Sequence, residues 1–320
     1  MLLRQVIELF DLLDTPAANG TTVTDLFKER GNVEVTVENV KGDEGDTDCV
    51  TILIKGSEGK SVGGSAPTLG IIGRLGGLGA RPEVTGFVSD GDGALAALAA
   101  GLKLTEMNTK GDIMKGDVII ATHICPDAPT QEHFPVPFMG SPIDMTTNNE
   151  KEVLPDMDAI LSDLDALLVV DTTKGNRVIN LNGFALSPTI KEGYILEVSN
   201  DLMDVMTRVT GKLPAIFPVA QQDITPYGNG LFHLNSILQP ATATAAPVIG
   251  VAVTTEQPVA GCATGASHFV DVEETARFAV EVAKAYGAGK CSFYDEREFQ
   301  ALVTRYGSMC RLQTMGADEQ

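Results

Sequence analysis

Apolar residues at Leu2, Leu3, Val6, Ile7, Leu9, Phe10 and Leu13 recur at helical spacing and predict an amphipathic helix over residues 1–14. A second short helix is expected from Thr22 to Arg30, capped by Thr22 or Thr24. The stretch VEVTVENV alternates strictly and reads as a half-buried strand, followed by a second strand in DCVTILIKG and a glycine-rich loop in GSEGKSVGGSAP. Four continuous apolar runs then read as buried central strands: TLGIIG, GDVIIATHI, DALLVVD and APVIGVAV. VTGFVSD and LPAIFPV read as further strands, and VINLNGFALSP as a strand pair. Helices are expected in DGALAALAAGLKL, in GYILEVSNDLMDVMTRVTG with a glycine stop, in VDVEETARFAVEVAKAYG and over residues 294–306.

Strands alternate with helices along nearly the whole chain. That order predicts an α/β fold of three layers, αβα, with a mixed, largely parallel central sheet covered on both faces. No linker or repeat divides it, so residues 1–320 are expected to form a single domain. Six prolines between residues 126 and 155 mark a long coil that reads as a loop or lid within that domain.

Composition narrows the function. Among 320 residues, 43% are hydrophobic and 21% charged, which suits a globular protein with a sizeable core. A net charge of −20 argues against nucleic acid and against anionic membrane surfaces, since both need a basic face. No apolar run reaches the roughly 18 residues of a membrane span. The acidic residues inside the first apolar pattern distinguish it from a signal peptide, so a cytoplasmic location is expected. Five cysteines in such a chain do not suggest a disulfide framework, and Cys49, Cys291 and Cys310 read as plain thiols. A homo-oligomer is expected, as for most such folds.

Ligands of open α/β sheets bind beyond the carboxyl ends of the strands. TLGIIG is followed there by Arg74, VTGFVS by Asp90 and Asp92, and ALLVV by Asp171, Thr172, Thr173 and Lys174. VIIATHI carries His123 and leads into Cys125, Asp127, Glu132 and His133. VIGVAV is followed by Thr254, Thr255 and Glu256, then by a glycine-rich loop ending at His268. Each of these residues also has a plainer reading. Asp90 or Asp92 can cap the following helix, and Asp171 can start a turn. His268 can pack on the helix after it, with Asp271 as that helix's cap. His123 can be a hydrogen-bonded core group, Cys125 a packed thiol, and His133 an exposed loop residue. His233, between Phe232 and Leu234, reads as either kind. Histidine with cysteine or aspartate is nevertheless the usual ligand set of zinc-like metals.

The standard motifs are missing. The chain has neither paired CxxC nor HExxH, and neither a phosphate-binding GxxxxGK[ST] nor a GxGxxG after a strand. There is also no GxSxG elbow.

The strings PTLGIIGRLGGLGARPE, THICPDAPT, PFMGSPIDM, DTTKGNRVIN, QDITPYGNGLFHLNSILQPATAT and GCATGASH resemble a bacterial family known only as domain of unknown function 1177. The resemblance runs over nearly the whole chain and implies no activity. More distantly, the order of elements is similar to the zinc-dependent exopeptidases, whose two co-catalytic metals are held by His-x-Asp, a bridging Asp, Glu-Glu, a later Asp and a late His. On that resemblance Asp90 stands like the bridging Asp, Asp171 like the later Asp and His268 like the late His. Gly73-Arg74-Leu75 stands where His-x-Asp would be, and the Cys125-Pro126-Asp127 region where Glu-Glu would be.

Two readings follow. The first is a metal-dependent hydrolase of peptide-like or amide small molecules with an altered metal site. Asp90, His123, Asp171 and His268 would hold a divalent metal, zinc first and manganese or nickel next. Asp127 or Glu132 would take the proton from its water, and Arg74, Thr172 and His233 would contact substrate. The second is a non-catalytic protein on the same fold that binds a peptide or an amino-acid-derived ligand. Metal-free catalysis through Cys125 and His123 is a weaker third, because Cys125 follows a strand and lacks a helix N-terminus to activate it.

Overall fold

The computed structural model describes residues 2–74, 86–126, 128–131, 138–144, 147–148, 150–151, 164–173, 175–219, 236–256 and 267–310. Helix α1 spans Leu3–Leu13 and buries Val6, Leu9 and Leu13 along one stripe, as its spacing predicts. Helix α2 spans Gly20–Arg30, two residues earlier than the sequence suggests. Its cap is Asn19, whose side chain accepts from the Thr22 amide while the Thr22 hydroxyl accepts from the Asn19 amide. Thr22 is therefore the reciprocal partner in a capping box and not the cap itself.

Strands β1 (Glu34–Gly42) and β2 (Gly45–Ile54) form an antiparallel hairpin. The central strands are β3 (Leu69–Gly73), β4 (Val118–Ile124), then β7 (Ala166–Thr172) and β11 (Val248–Thr254). Their unbroken apolar runs have both faces buried, which is why they read as continuous stretches in the sequence. They lie side by side in the order β4-β3-β7-β11, all parallel. Strands β5 (Thr130–Gln131) and β6 (Phe138–Met139) pair with each other inside the proline-rich stretch. Strands β8 (Gly183–Leu186), β9 (Thr189–Lys191) and β10 (Tyr194–Leu196) add antiparallel pairing on the β11 side. The main sheet is mixed, with this parallel centre and helices packed against it.

Helix α3 (Asp92–Thr109) is buried over its first eleven residues and lies directly on the sheet. Its close approach depends on glycine. A Cβ on Gly93 would stand 2.5 Å from the carbonyl oxygen of Val170, and one on Gly73 would stand 2.6 Å from Ala94 Cα. Helix α4 (Asn200–Thr210) starts at a Ser199 cap and stops at Gly211, where φ is +69°. Helix α5 (Phe269–Gly287) packs against α3 and α4, and α6 (Glu296–Tyr306) packs Phe299 against Tyr194 of β10.

Several local expectations are corrected. Residues 194–196, read as the start of a helix, form β10, because they pair with β9 before the chain turns into α4. Gly86, Phe87 and Val88 of the VTGFVSD stretch are not in a strand; they lead into a 3-10 turn, Ser89–Gly91. LPAIFPV makes one isolated bridge, Leu186 with Ile216, and no strand. In VINLNGFALSP only Gly183–Leu186 is a strand.

Apolar side chains fill both sides of the sheet. Ile71, Ile120, Leu168, Val170 and Ile249 point to the helical side. Ile72, Ile119, Ala121, Leu167, Val169 and Ala252 point to the other, where the described cover includes Ile179, Ile237 and Leu238. Among the described residues no helix is long and apolar enough to cross a membrane.

Candidate functional site

Because β3, β4, β7 and β11 are parallel, their carboxyl ends share one edge. Two hydrogen bonds draw distant segments together there. Thr172, at the end of β7, donates its hydroxyl to the carbonyl of Ser89 at 2.9 Å. Ser267, beside His268, donates its hydroxyl to Asp92 Oδ1 at 2.6 Å. The Ser89–Gly91 turn that carries Asp90 is thus tied to the strand that carries Asp171, and the start of α3 to the segment that carries His268.

Asp90, Asp92 and Asp171 are all buried. None of them is the N-cap of a helix. The N-cap of α3 is Gly91, and no side chain caps it; Asp90 lies inside the 3-10 turn, and Asp92 is the first helical residue. Asp171 belongs to β7 itself, and its Oδ1 accepts from the Thr172 amide at 2.7 Å. A buried carboxylate is costly unless charge or hydrogen bonds compensate it, so three at one edge mark this as the chemically loaded end of the sheet.

His268 occupies the N-cap position of α5 without making a cap hydrogen bond, and Asp271 is in the first turn, not at the cap as the sequence suggests. The His268 ring is 56% exposed and its Nδ1 lies 3.3 Å from Asp271 Oδ2. His123 is buried on β4. Its Nδ1 is 3.0 Å from the Thr47 hydroxyl, which itself faces the Ile124 carbonyl at 3.2 Å. Burial, and then the positive charge of Arg74, hold the His123 pKa down at about 4. Arg74 was expected to clamp a substrate carboxylate. The structure gives it 0% exposure, which turns its charge into the protein and away from solvent. Thr172 is half-buried and engaged with Ser89. Cys125 is buried against Val88 and Ala128, with its thiol 3.5 Å from the Asp46 carbonyl, as a packed thiol would be. Asp127, Glu132, His133, Lys174 and His233 lie outside the described residues.

Among the described residues no three histidine, cysteine, aspartate or glutamate side chains are gathered to hold a metal ion. The four expected ligands therefore do not close into one shell by themselves. His123 and His268 separate most clearly: one is buried under the sheet edge beside Arg74, the other is exposed beside Asp271.

Three buried polar atoms at this edge have no hydrogen-bond partner among the described residues: His123 Nε2, Ser89 Oγ and Thr254 Oγ1. Buried polar atoms are nearly always paired, so a group of orphans beyond the strand ends is a signature of a ligand or of ordered water. Ser89 escaped the sequence reading. Its only signal was its place just before the two aspartates.

A family model described as protein of unknown function (DUF1177) matches residues 38–316. The chain belongs to the DUF1177 family. No curated protein matches it. Among solved structures, the chain is similar to the bottromycin maturation enzyme BotP in complex with Mn, with 13% identity, a TM-score of 0.52, and coverage of 90% of this chain and 71% of that one. It is similar to Legionella LapA at 12% identity and a TM-score of 0.53, covering 91% and 72%. It is also similar to the Macrostomum lignano glutaminyl cyclase at 12% identity and a TM-score of 0.52, covering 90% and 89%. At such identities the likeness concerns the fold: this DUF1177 chain has the aminopeptidase and glutaminyl cyclase fold, as the order of its elements implies.

Proposed function

We propose that this DUF1177 protein is a hydrolase acting on a small peptide-like or amide molecule at the carboxyl edge of β3, β4, β7 and β11, with one divalent metal on the β7 side. The observation that carries the reading is the cluster of buried carboxylates and orphaned polar atoms at that edge. The fold likeness to BotP, described in complex with Mn, supports a divalent ion on such a scaffold.

Two of the expected ligands carry donor chemistry that suits a divalent ion. Asp90 and Asp171 are hard oxygen donors on segments tied together by the Thr172–Ser89 hydrogen bond, and Ser267 ties the His268 segment to the start of α3. Asp90 and Asp171 would supply oxygen donors to the ion, with zinc the first expectation and manganese or nickel the next. A metal there supplies carbonyl polarisation and a bound water with its pKa lowered to about 7. Thr172 and Ser267 act by position, fixing the loops. Asp127 or Glu132 is the proposed proton acceptor.

The test is metal analysis of purified protein, followed by assay on dipeptides and acyl amino acids with and without chelator. Chelator-sensitive hydrolysis that falls at least 100-fold in Asp171→Asn is expected. Metal-loaded protein that binds a dipeptide saturably without cleaving it would instead establish the binding-protein reading.

A further inference from the structure

The alternation of β3, β4 and β7 settles which residues share a face at the candidate edge. Ile72, Ala121 and Val169 all point into the second core cluster, away from α3. Two residues further along each chain stand Arg74, His123 and Asp171, and strand geometry returns them to that same face. The register sets their level. Ile72 pairs with Ala121 and Gly73 with Val170, and the Arg74 amide donates to the Val170 carbonyl at 2.8 Å. Carrying this register forward places Arg74 between His123 on one side and Asp171 on the other, with about 4.8 Å between neighbouring strands. All three are buried.

The His123 ring is held at one nitrogen: Nδ1 lies 3.0 Å from the Thr47 hydroxyl, which also stands 3.2 Å from the Ile124 carbonyl. Nε2 has no hydrogen-bond partner among the described residues. A neutral imidazole with a lone pair on Nε2 is what a metal ligand requires. The surroundings argue the other way. The guanidinium of Arg74 is a permanent cation on the neighbouring strand, and its charge already disfavours a second positive charge on the ring. A divalent ion at Nε2 would meet the same repulsion with twice the charge. Nor can β3 offer a ligand one residue earlier, because a Cβ at Gly73 would collide with the backbone of α3.

We propose that Arg74 is the resident cation of the β3–β4 side of this edge, occupying the place of a second divalent ion, and that His123 is not a metal ligand. This rests on, and sharpens, the single-metal reading above. A two-metal centre does not fit the residues present.

The full-length protein can be stripped, reloaded with zinc or manganese, and its metal counted. With only four histidines in the chain, 15N-histidine NMR can follow His123 Nε2 and Nδ1 directly, assigned by His123→Gln. The expected result is no more than one metal per chain and His123 Nε2 resonances unmoved by zinc. Arg74→Lys, which keeps the charge, should leave the count unchanged. Arg74→Gln should raise the pH at which His123 titrates. Two metals per wild-type chain with one lost in His123→Gln, or a zinc-induced shift at Nε2, would overturn the assignment of Arg74. No bound metal at all with Nε2 unmoved would overturn the hydrolase reading while leaving that assignment in place.

Discussion

The Ser267 hydroxyl donates a 2.6 Å hydrogen bond to Asp92 Oδ1, joining the segment before α5 to the first residue of α3 across 175 positions of chain. Hydrogen bonds to a charged acceptor contribute about 1.5–3 kcal/mol, and Asp92 is fully buried. Ser267→Ala is therefore expected to destabilise the protein by about 2 kcal/mol in a urea titration. It also frees the start of α3 next to the Asp90 turn, so on the proposed site metal affinity should fall more than in a control substitution such as Ser308→Ala. Unchanged stability and unchanged metal affinity would remove this bond from the site.

Gly93 is a second point of leverage. A methyl group there would stand 2.5 Å from the Val170 carbonyl oxygen and 2.9 Å from Asp171 Cα, both backbone atoms that cannot swing aside. Gly93→Ala should push α3 off the end of β7 at a cost of about 1–3 kcal/mol, the usual range for overpacking. Gly111→Ala is the contrasting case: no atom lies within 4 Å of its Cβ position, and only its φ of +84° opposes the change. The two variants should separate in an assay of metal binding, with Gly93→Ala impaired and Gly111→Ala normal.

The pH dependence of stability has a definite sign at His123. Its pKa is about 4 in the folded protein against an ordinary 6.5, through burial first and Arg74 second. The unfolded chain then binds the extra proton more readily, so stability is full above about pH 6.5 and is lost as the pH falls toward 4. A shift of that size corresponds to on the order of 3 kcal/mol. His123→Gln should flatten the melting temperature between pH 4.5 and 6.5. A variant that keeps the wild-type slope would place the effect on other groups.

The thiols should differ sharply in reactivity. Cys291 is buried, and burial, then the neighbouring Asp201, push its pKa up to about 12; Cys125 is also buried. Cys310 is exposed and Cys49 only partly covered. Iodoacetamide at pH 8 should label Cys310 first, while Cys125 and Cys291 react only after unfolding, as peptide mapping would show. Fast labelling of Cys125 in the native protein would revive catalysis through its thiol.

The sequence by itself determined the parallel centre of the sheet and the helices packed on it. TLGIIG, VIIATHI, ALLVV and VIGVAV are unbroken apolar runs because both their faces are covered, and α3 announces itself through small residues that let it reach the sheet. The sequence also placed Asp171 and Arg74 at strand ends, since strand order along a parallel sheet puts every carboxyl terminus on one edge; Asp90, expected after a strand, lies instead in the 3-10 turn before α3. Local pattern could not decide Tyr194–Leu196, whose few residues become a strand only because β9 offers them a partner. Nor could it show that Asn19 and not Thr22 caps α2, because both suit a cap and the turn geometry chooses. The relations that matter most for chemistry belonged to tertiary structure alone. Register between strands far apart in the chain sets Arg74 level with His123 and Asp171, and a hydroxyl–carboxylate bond brings the His268 segment to α3. No spacing along the sequence encodes such distances; they follow from packing, which also buries Arg74 completely and leaves His268 in solvent.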